Sequence, residues 1–359
     1  MEGFRYSRAS ATALMIALSL SVSAQLPFPA PEVAAKTVRQ DRYPPSQITF
    51  PNGVKGTPNL VYWQPLGYRP LTLDLYIPPA DIQRPTAGFP LIVYVHGGGW
   101  LLGDSRLFGN FVNFPEVLAS LAAKGYVVAA INYRLSGEAA FPAPIQDVKA
   151  AIRWLRSKAS GYGMDSARVM TWGGSAGGQL AALAAVSCGA QALEPAETIK
   201  VPFASTPPAV VTSSAISDCV QGSVAWFGVF DISTFAEQAR QAKAMSADSA
   251  DAPVWQMLGC FSASCKHGQI AAASPVTYID SKTPPMLLIA GSDDKVVPYH
   301  QTLEMAEKLK AAGVPHQLII LPGVDHGFIG KTLEKTRDAY LTALGATFRF
   351  IDQTMGNIH

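Results

Sequence analysis

The chain has 359 residues, of which 48% are hydrophobic and 15% charged, with a formal net charge of +2. That apolar content can fill a large core, and α/β folds commonly run to this length as one unit. A near-neutral balance without a Lys/Arg cluster excludes the electrostatic footprint of a protein that binds nucleic acid or an anionic membrane, and a small neutral molecule is the expected partner.

Residues 1–24 read as a secretory signal peptide. Arg5 and Arg8 give a basic start, Ala11 to Leu20 an apolar stretch too short for a lasting membrane span, and Val22-Ser23-Ala24 a small-residue cleavage site. Its removal takes away Arg5, Arg8 and Glu2, lowering the charge from +2 to +1, and sends the rest to the periplasm or the medium without stable membrane insertion. Residues 25–59, rich in Pro and without strand or helix periodicity, read as an N-terminal arm, and the folded domain is expected over 60–359.

Leu71 to Tyr76 alternates with period two, as an antiparallel edge hairpin does, and ends at Pro78-Pro79. Leu91 to Val95 is an unbroken apolar run, the mark of a strand buried on both faces, and it leads directly into His96-Gly97-Gly98-Gly99-Trp100. A helix is expected over 113–124, a buried strand over 126–133 and a helix over 145–160. Then come a short strand, Arg168 to Trp172, the turn Gly173-Gly174-Ser175-Ala176-Gly177-Gly178, and an Ala/Leu-rich helix to Ser187. Further strands are expected over 224–230, 286–290 and 317–321, and helices over 301–312 and 333–354. Alternation of buried strand and amphipathic helix predicts an α/β architecture, a mostly parallel sheet with helices on both faces.

Two stretches break the rhythm, 189–219 and 231–274, and insertions of this kind often form lids or binding loops. All four cysteines lie near or within them. An even count in an exported chain favours disulfides, and four cysteines allow three pairings. Cys260 and Cys265 enclose four residues and are expected to close a small loop, leaving Cys188 and Cys219 to clamp the ends of the first insertion. Zinc is a poor alternative, since His267 is the only histidine nearby, and no metal or other cofactor is expected.

The chemistry converges on Ser175. In a strand–turn–helix context the GxSxG spacing makes a nucleophile elbow, in which a strained turn lifts the serine hydroxyl above the sheet and the helix N-terminus offers free N–H groups. Ester hydrolysis by serine also needs a base, a carboxylate to orient that base, and donors for the oxyanion. Gly291-Ser292-Asp293-Asp294, after a parallel strand, offers two carboxylates in the right crevice. Gly323-Val324-Asp325-His326-Gly327, after the last strand, offers the base, in the chain order serine, acid, histidine. The glycine loop after His96 can aim backbone N–H groups at an oxyanion, completed by the N–H of Ala176. A phosphate cradle is the weaker reading, because the Walker lysine and the dinucleotide spacing are both missing. His96 is expected to order that loop rather than carry protons. Trp100, Phe108, Phe111 and Phe114 are candidates for an acyl pocket, although core is the commoner role at these spacings.

Taken together, HGGGW followed by Gly103-Asp104, INYRLS at 131–136, GGSAGG at 173–178, GSDDKVVP and GVDHGF resemble the α/β-hydrolase serine carboxylesterases over about 60–350. The nearest group is the bacterial hormone-sensitive-lipase-like and feruloyl or acetyl-xylan esterase-like branch. The resemblance implies the α/β-hydrolase fold, Ser175 as nucleophile, Asp294 rather than Asp293 as acid, His326 as base, and Gly98, Gly99 and Ala176 as oxyanion donors. It implies a secreted esterase acting on small or aryl esters through an acyl-enzyme. Two departures bear on specificity. Gly174 stands where many lipase-like relatives carry an acidic residue, and the Pro-rich arm is too short for a helical cap, so any cap is expected from the cysteine-bearing insertions. A prolyl-oligopeptidase-like peptidase would need a propeller for which the chain lacks room. A non-catalytic ligand-binding protein on a hydrolase scaffold would be expected to have lost part of the triad.

Overall fold

The computed structural model describes residues 47–195, 216–244, 249, 251–261 and 264–356. The expected signal peptide, most of the arm and the middle of the first insertion lie outside these residues.

Among the described residues the strands form one nine-stranded sheet in the order β1-β2-β3-β5-β4-β6-β7-β8-β9. These are β1 (Ile48–Thr49), β2 (Lys55–Trp63), β3 (Leu71–Ile77), β4 (Phe89–Val95), β5 (Val127–Ile131), β6 (Met164–Gly174), β7 (Gly222–Trp226), β8 (Met286–Gly291) and β9 (His316–Leu321). The pairings from β1 through β3 to β5 are antiparallel and all others parallel. The mostly parallel sheet expected from the alternation is therefore present.

The helices are α1 (Phe114–Ala122), α2 (Ala143–Ser157), α3 (Ala159–Tyr162), α4 (Ala176–Val186), α5 (Ile232–Gln241), α6 (Pro253–Leu258), α7 (His267–Ala273), α8 (His300–Ala311) and α9 (Leu333–Met355). Local chemistry starts α1, where the Asn113 side chain accepts from Glu116 N and a proline occupies the first turn.

The sheet divides the core in two. Leu91, Val93 and Val95 of β4 pack with residues of α2, α4 and α8, whereas Ile92 and Tyr94 pack with α1 and α9. Every residue of β4 is buried, which is why its sequence reads as a continuous apolar run rather than an alternation. Helix α4 is buried along its whole length, and its alanines and glycines allow it to lie close against the sheet.

At the antiparallel edge the structure corrects the expectation. Leu71 to Tyr76 lies in an antiparallel hairpin, β2 with β3, but the two-residue β1 adds a further strand outside it, and β2 begins at Lys55, inside the stretch read as an arm. Its periodicity is hidden by a register shift between Thr57 and Leu60, around Pro58 and Asn59, the latter at φ 58°. On the far side, β7 stops at Trp226 instead of Phe230. Phe227 turns out at φ 37°, and the remaining apolar residues pack as a loop.

Both favoured disulfides are present, Cys188–Cys219 and Cys260–Cys265. Their formation consumes the thiolates that a zinc site would have needed. Beneath the first, Lys149 on α2 is fully buried and donates to Ser187 O and to Asp218 at 2.9 Å each, while Arg153 binds both Asp218 and Glu194. The two ends of the first insertion are thus fastened covalently and by buried ion pairs. No helix among the described residues is long and apolar enough to cross a membrane.

Candidate active site

Strand β4 lies between β5 and β6, so the connection from β4 to β5 and the one from β5 to β6 run in opposite directions across the sheet and a crevice opens beyond the C-terminal end of β4. Val95 of β4 is in register with Gly173 of β6, which places the His96 loop beside the Ser175 turn.

Ser175 has φ 57° and ψ −124°, a conformation that costs a residue with a Cβ about 1–3 kcal/mol. The flanking elements over-determine it. Leu180 and Leu183 of α4 are fully buried, each contributing roughly 2 kcal/mol, and Ser175 N donates to Trp226 O at 2.9 Å. The turn also requires close approach: a Cβ on Gly177 would lie 2.1 Å from Val95 O.

The Ser175 Oγ lies 2.9 Å from His326 Nε2, and His326 Nδ1 lies 2.8 Å from Asp294 Oδ2. With the acid acting as acceptor, Nδ1–H donates to Asp294, leaving Nε2 to accept from the serine. The other oxygen of Asp294 accepts from Val296 N at 2.9 Å and Val297 N at 2.8 Å, so the buried acid is fully engaged. The neighbouring Asp293 is exposed and accepts from the Ser292 hydroxyl; it caps no helix. Phe227, at the end of β7, packs edge-on to the His326 ring with centroids 4.8 Å apart.

Gly99 and Ala176 line the space beside Ser175, and Gly98 precedes Gly99 in the glycine loop. Among the described residues, no hydrogen bond within the protein engages their N–H groups. His96 takes no part in the proton path. It is buried, its ring stacks on Tyr133 at 4.3 Å, and Nδ1–H donates to Gly97 O at 2.7 Å. Burial pushes its pKa down to about 4, keeping the ring neutral as a brace for the glycine loop. The Tyr133 hydroxyl donates to His96 O, a role for the INYRLS segment that the sequence did not disclose.

An apolar cleft of about 500 Å³, including its open mouth, leads to Ser175. Gly99 and Trp100 line it from the glycine loop after β4, Phe235, Pro253 and Val254 from the second insertion, and Val297 from the loop after β8. Of the aromatic candidates, Trp100 lines the cleft, whereas Phe108, Phe111 and Phe114 pack among themselves and with Tyr94, Trp172 and Tyr340. A Cβ on Gly174 would lie 2.6 Å from the Phe108 ring and 3.3 Å from the Phe227 ring. These rings occupy the space that an acidic residue would fill at that position.

The BD-FAE family model matches residues 73–309 of this chain. The chain belongs to the BD-FAE family. The match includes Ser175 and Asp294 and ends before the loop that carries His326, so the place of the histidine rests on the geometry above. Among relatives in sequence, esterase LipQ of Mycobacterium tuberculosis is 29% identical over 80% of this chain and 58% of its own length. Ethyl acetate hydrolase of Pseudomonas putida is 28% identical over 77% of each chain. The chain spans little more than half the length of LipQ and LipC, 58% and 55%. Among solved structures, a thermophilic esterase, Est2 of Thermogutta terrifontis, superposes with a TM-score of 0.60 at 25% identity, over 82% of this chain and 91% of that one. A truncated carbohydrate esterase from gut microbiota shares the fold with a TM-score of 0.63 at 24% identity, over 84% and 96%. The α/β-hydrolase fold expected from the motifs is the fold of this chain.

Proposed function

We propose that the protein is an exported serine carboxylic ester hydrolase that works through an acyl-enzyme on Ser175, His326 and Asp294. The observation that carries this is the unbroken hydrogen-bonded path from the Ser175 hydroxyl through both ring nitrogens of His326 to a buried, doubly anchored carboxylate. The esterase names of LipQ and ethyl acetate hydrolase support it. Export rests on the signal-like residues 1–24 and on two disulfides, which persist in oxidising compartments.

In the first half-reaction, Ser175 Oγ attacks the ester carbonyl as His326 Nε2 takes the hydroxyl proton. The new oxyanion accepts N–H bonds from Gly98, Gly99 and Ala176, assisted by the positive end of α4. His326 then returns the proton to the departing alkoxide, and the alcohol leaves. Water enters the same position and its oxygen attacks the acyl carbonyl as His326 takes one of its protons; His326 then returns that proton to Ser175 Oγ as the acyl–Oγ bond breaks and the acid leaves. Among the described residues the cleft has apolar walls and no charged side chain, which suits a short, uncharged acyl group.

The test is a p-nitrophenyl ester series from acetate to palmitate with methyl ferulate alongside. Activity should peak at short chains and vanish in Ser175→Ala with the fold retained. Replacing Phe235, which closes part of the cleft, by alanine should move the optimum to longer chains by about 10-fold in relative kcat/KM, since each added methylene is worth roughly 1–3 kcal/mol in a fitted pocket. Turnover by Ser175→Ala, or an unchanged chain-length profile in Phe235→Ala, would refute the nucleophile and the acyl pocket respectively.

A further inference from the structure

The residue before the base binds the residue after the acid. A single carboxylate oxygen of Asp325, Oδ1, accepts from the backbone N–H of Lys295 at 2.7 Å and from the N–H of His326, also at 2.7 Å. Asp294 and Lys295 are adjacent in the chain, as are Asp325 and His326. The contact therefore closes a ring: Asp294 to Lys295 by the peptide bond, Lys295 N–H to Asp325 Oδ1, Asp325 to His326 by the peptide bond, and His326 Nδ1–H to Asp294 Oδ2.

From this we infer that Asp325 is a positioning residue, a latch that sets the acid loop and the base loop in register so that the imidazole meets Asp294 and Ser175 together. The inference rests on the reading of Ser175, His326 and Asp294 as the catalytic triad. The two loops come from different strands, β8 and β9, and His326 is 32 residues from its acid and 151 from its nucleophile. Error in the relative placement of the loops is passed directly to the ring. Lys295 carries the latch outward as well, its Nζ donating to Ala242 O at the end of α5, whose Phe235 lines the cleft.

The latch is separable from what holds the base loop to the sheet. Backbone bonds do that: Ser292 N to Leu321 O, Asp293 N to Val324 O and Asp325 N to Ile329 O, with a bridge between Val324 and Gly330. The Gly323 N–H donates to Ser292 Oγ as well. None of these uses the Asp325 carboxylate, so its loss leaves the loop attached but free to shift.

Two variants decide the matter. Asp325→Ala removes the acceptor; Asp325→Asn keeps a side-chain oxygen in its place and removes the charge. For Asp325→Ala, kcat on p-nitrophenyl acetate should fall about 10- to 100-fold, the cost of sub-ångström misplacement of a catalytic group, with KM within about twofold. Asp325→Asn should recover most of the loss. A second readout is independent of turnover: the downfield proton resonance of His326 Nδ1–H bound to Asp294 should persist in the wild type and Asp325→Asn and broaden or disappear in Asp325→Ala. Unchanged kcat in Asp325→Ala overturns the latch. So does a loss that Asp325→Asn fails to recover, since charge rather than registration would then be the cause. Should Ser175→Ala hydrolyse the ester as well as the wild type does, the triad reading fails, whereas the resonance still reports on the latch.

Discussion

Around Ser175 the chain is held in place by want of bulk, and around His326 it is held by hydrogen bonds. On the nucleophile side, a Cβ at Gly177 would meet backbone, Val95 O at 2.1 Å and His96 O at 2.5 Å, and nothing there can yield. On the acid–base side, Asp294 and Asp325 are placed by backbone N–H groups of Val296, Val297, Lys295 and His326, polar contacts that an isosteric side chain can reproduce. The difference teaches that one half of the site should fail structurally when altered and the other chemically.

The largest effect tests the chemical side. Asp294→Asn keeps an oxygen for Val296 N and Val297 N, so its melting temperature should stay within a few degrees, but it offers N–H to His326 Nδ1 and forces the wrong tautomer. Its kcat should fall about 10³- to 10⁴-fold, measured on p-nitrophenyl acetate. Near-wild-type turnover would remove Asp294 from the acid role.

Gly177→Ala addresses the structural side. Overpacking against two carbonyl oxygens should cost about 3 kcal/mol of stability, seen as a lower urea midpoint, and should disturb the elbow enough to lower kcat in parallel. If stability holds while activity alone is lost, the contrast between the halves is wrong.

The smallest effect concerns the brace under the glycine loop. His96 ordinarily would titrate at 6.5 and is held down to about 4 by burial. Between those values the unfolded chain binds a proton that the folded chain does not, so stability is fully present above about pH 6.5 and is lost as the pH falls toward 4. His96→Gln should start less stable at neutral pH, having lost the stack on Tyr133, and decline less steeply on acidification when urea midpoints are followed from pH 7 to 4. Parallel slopes would mean that His96 is not the group responsible.

The same contrast explains what could be read from the sequence. Want of bulk is written locally, as glycines at fixed offsets, so HGGGW and GGSAGG pointed to the strained turn at Ser175 and to a glycine loop beside it without any structure. Strands buried on both faces were legible for a related reason, since β4 has no polar face to interrupt its apolar run. Hydrogen-bonded placement is written at long range. Asp294 and Asp293 are neighbours of one type, and only the direction in which β8 delivers them separates the buried acid from the exposed one. Asp325 lay in plain view inside GVDHGF, yet its partner is 30 residues away. Phe235 and Val254 line the cleft from an insertion whose periodicity carries no trace of what it faces. The start of β2 escaped notice because Pro58 and the register shift beside it break the alternation on which strand reading depends.

The central claim, that Ser175 is a nucleophile activated by His326, is tested most directly by reacting the protein with a serine-directed phosphonate and locating the adduct by mass spectrometry. One adduct per chain is expected, on the peptide containing Ser175, with ester hydrolysis lost in proportion to labelling and labelling abolished by Ser175→Ala. An adduct on another residue, or full hydrolysis by a fully labelled protein, would contradict it.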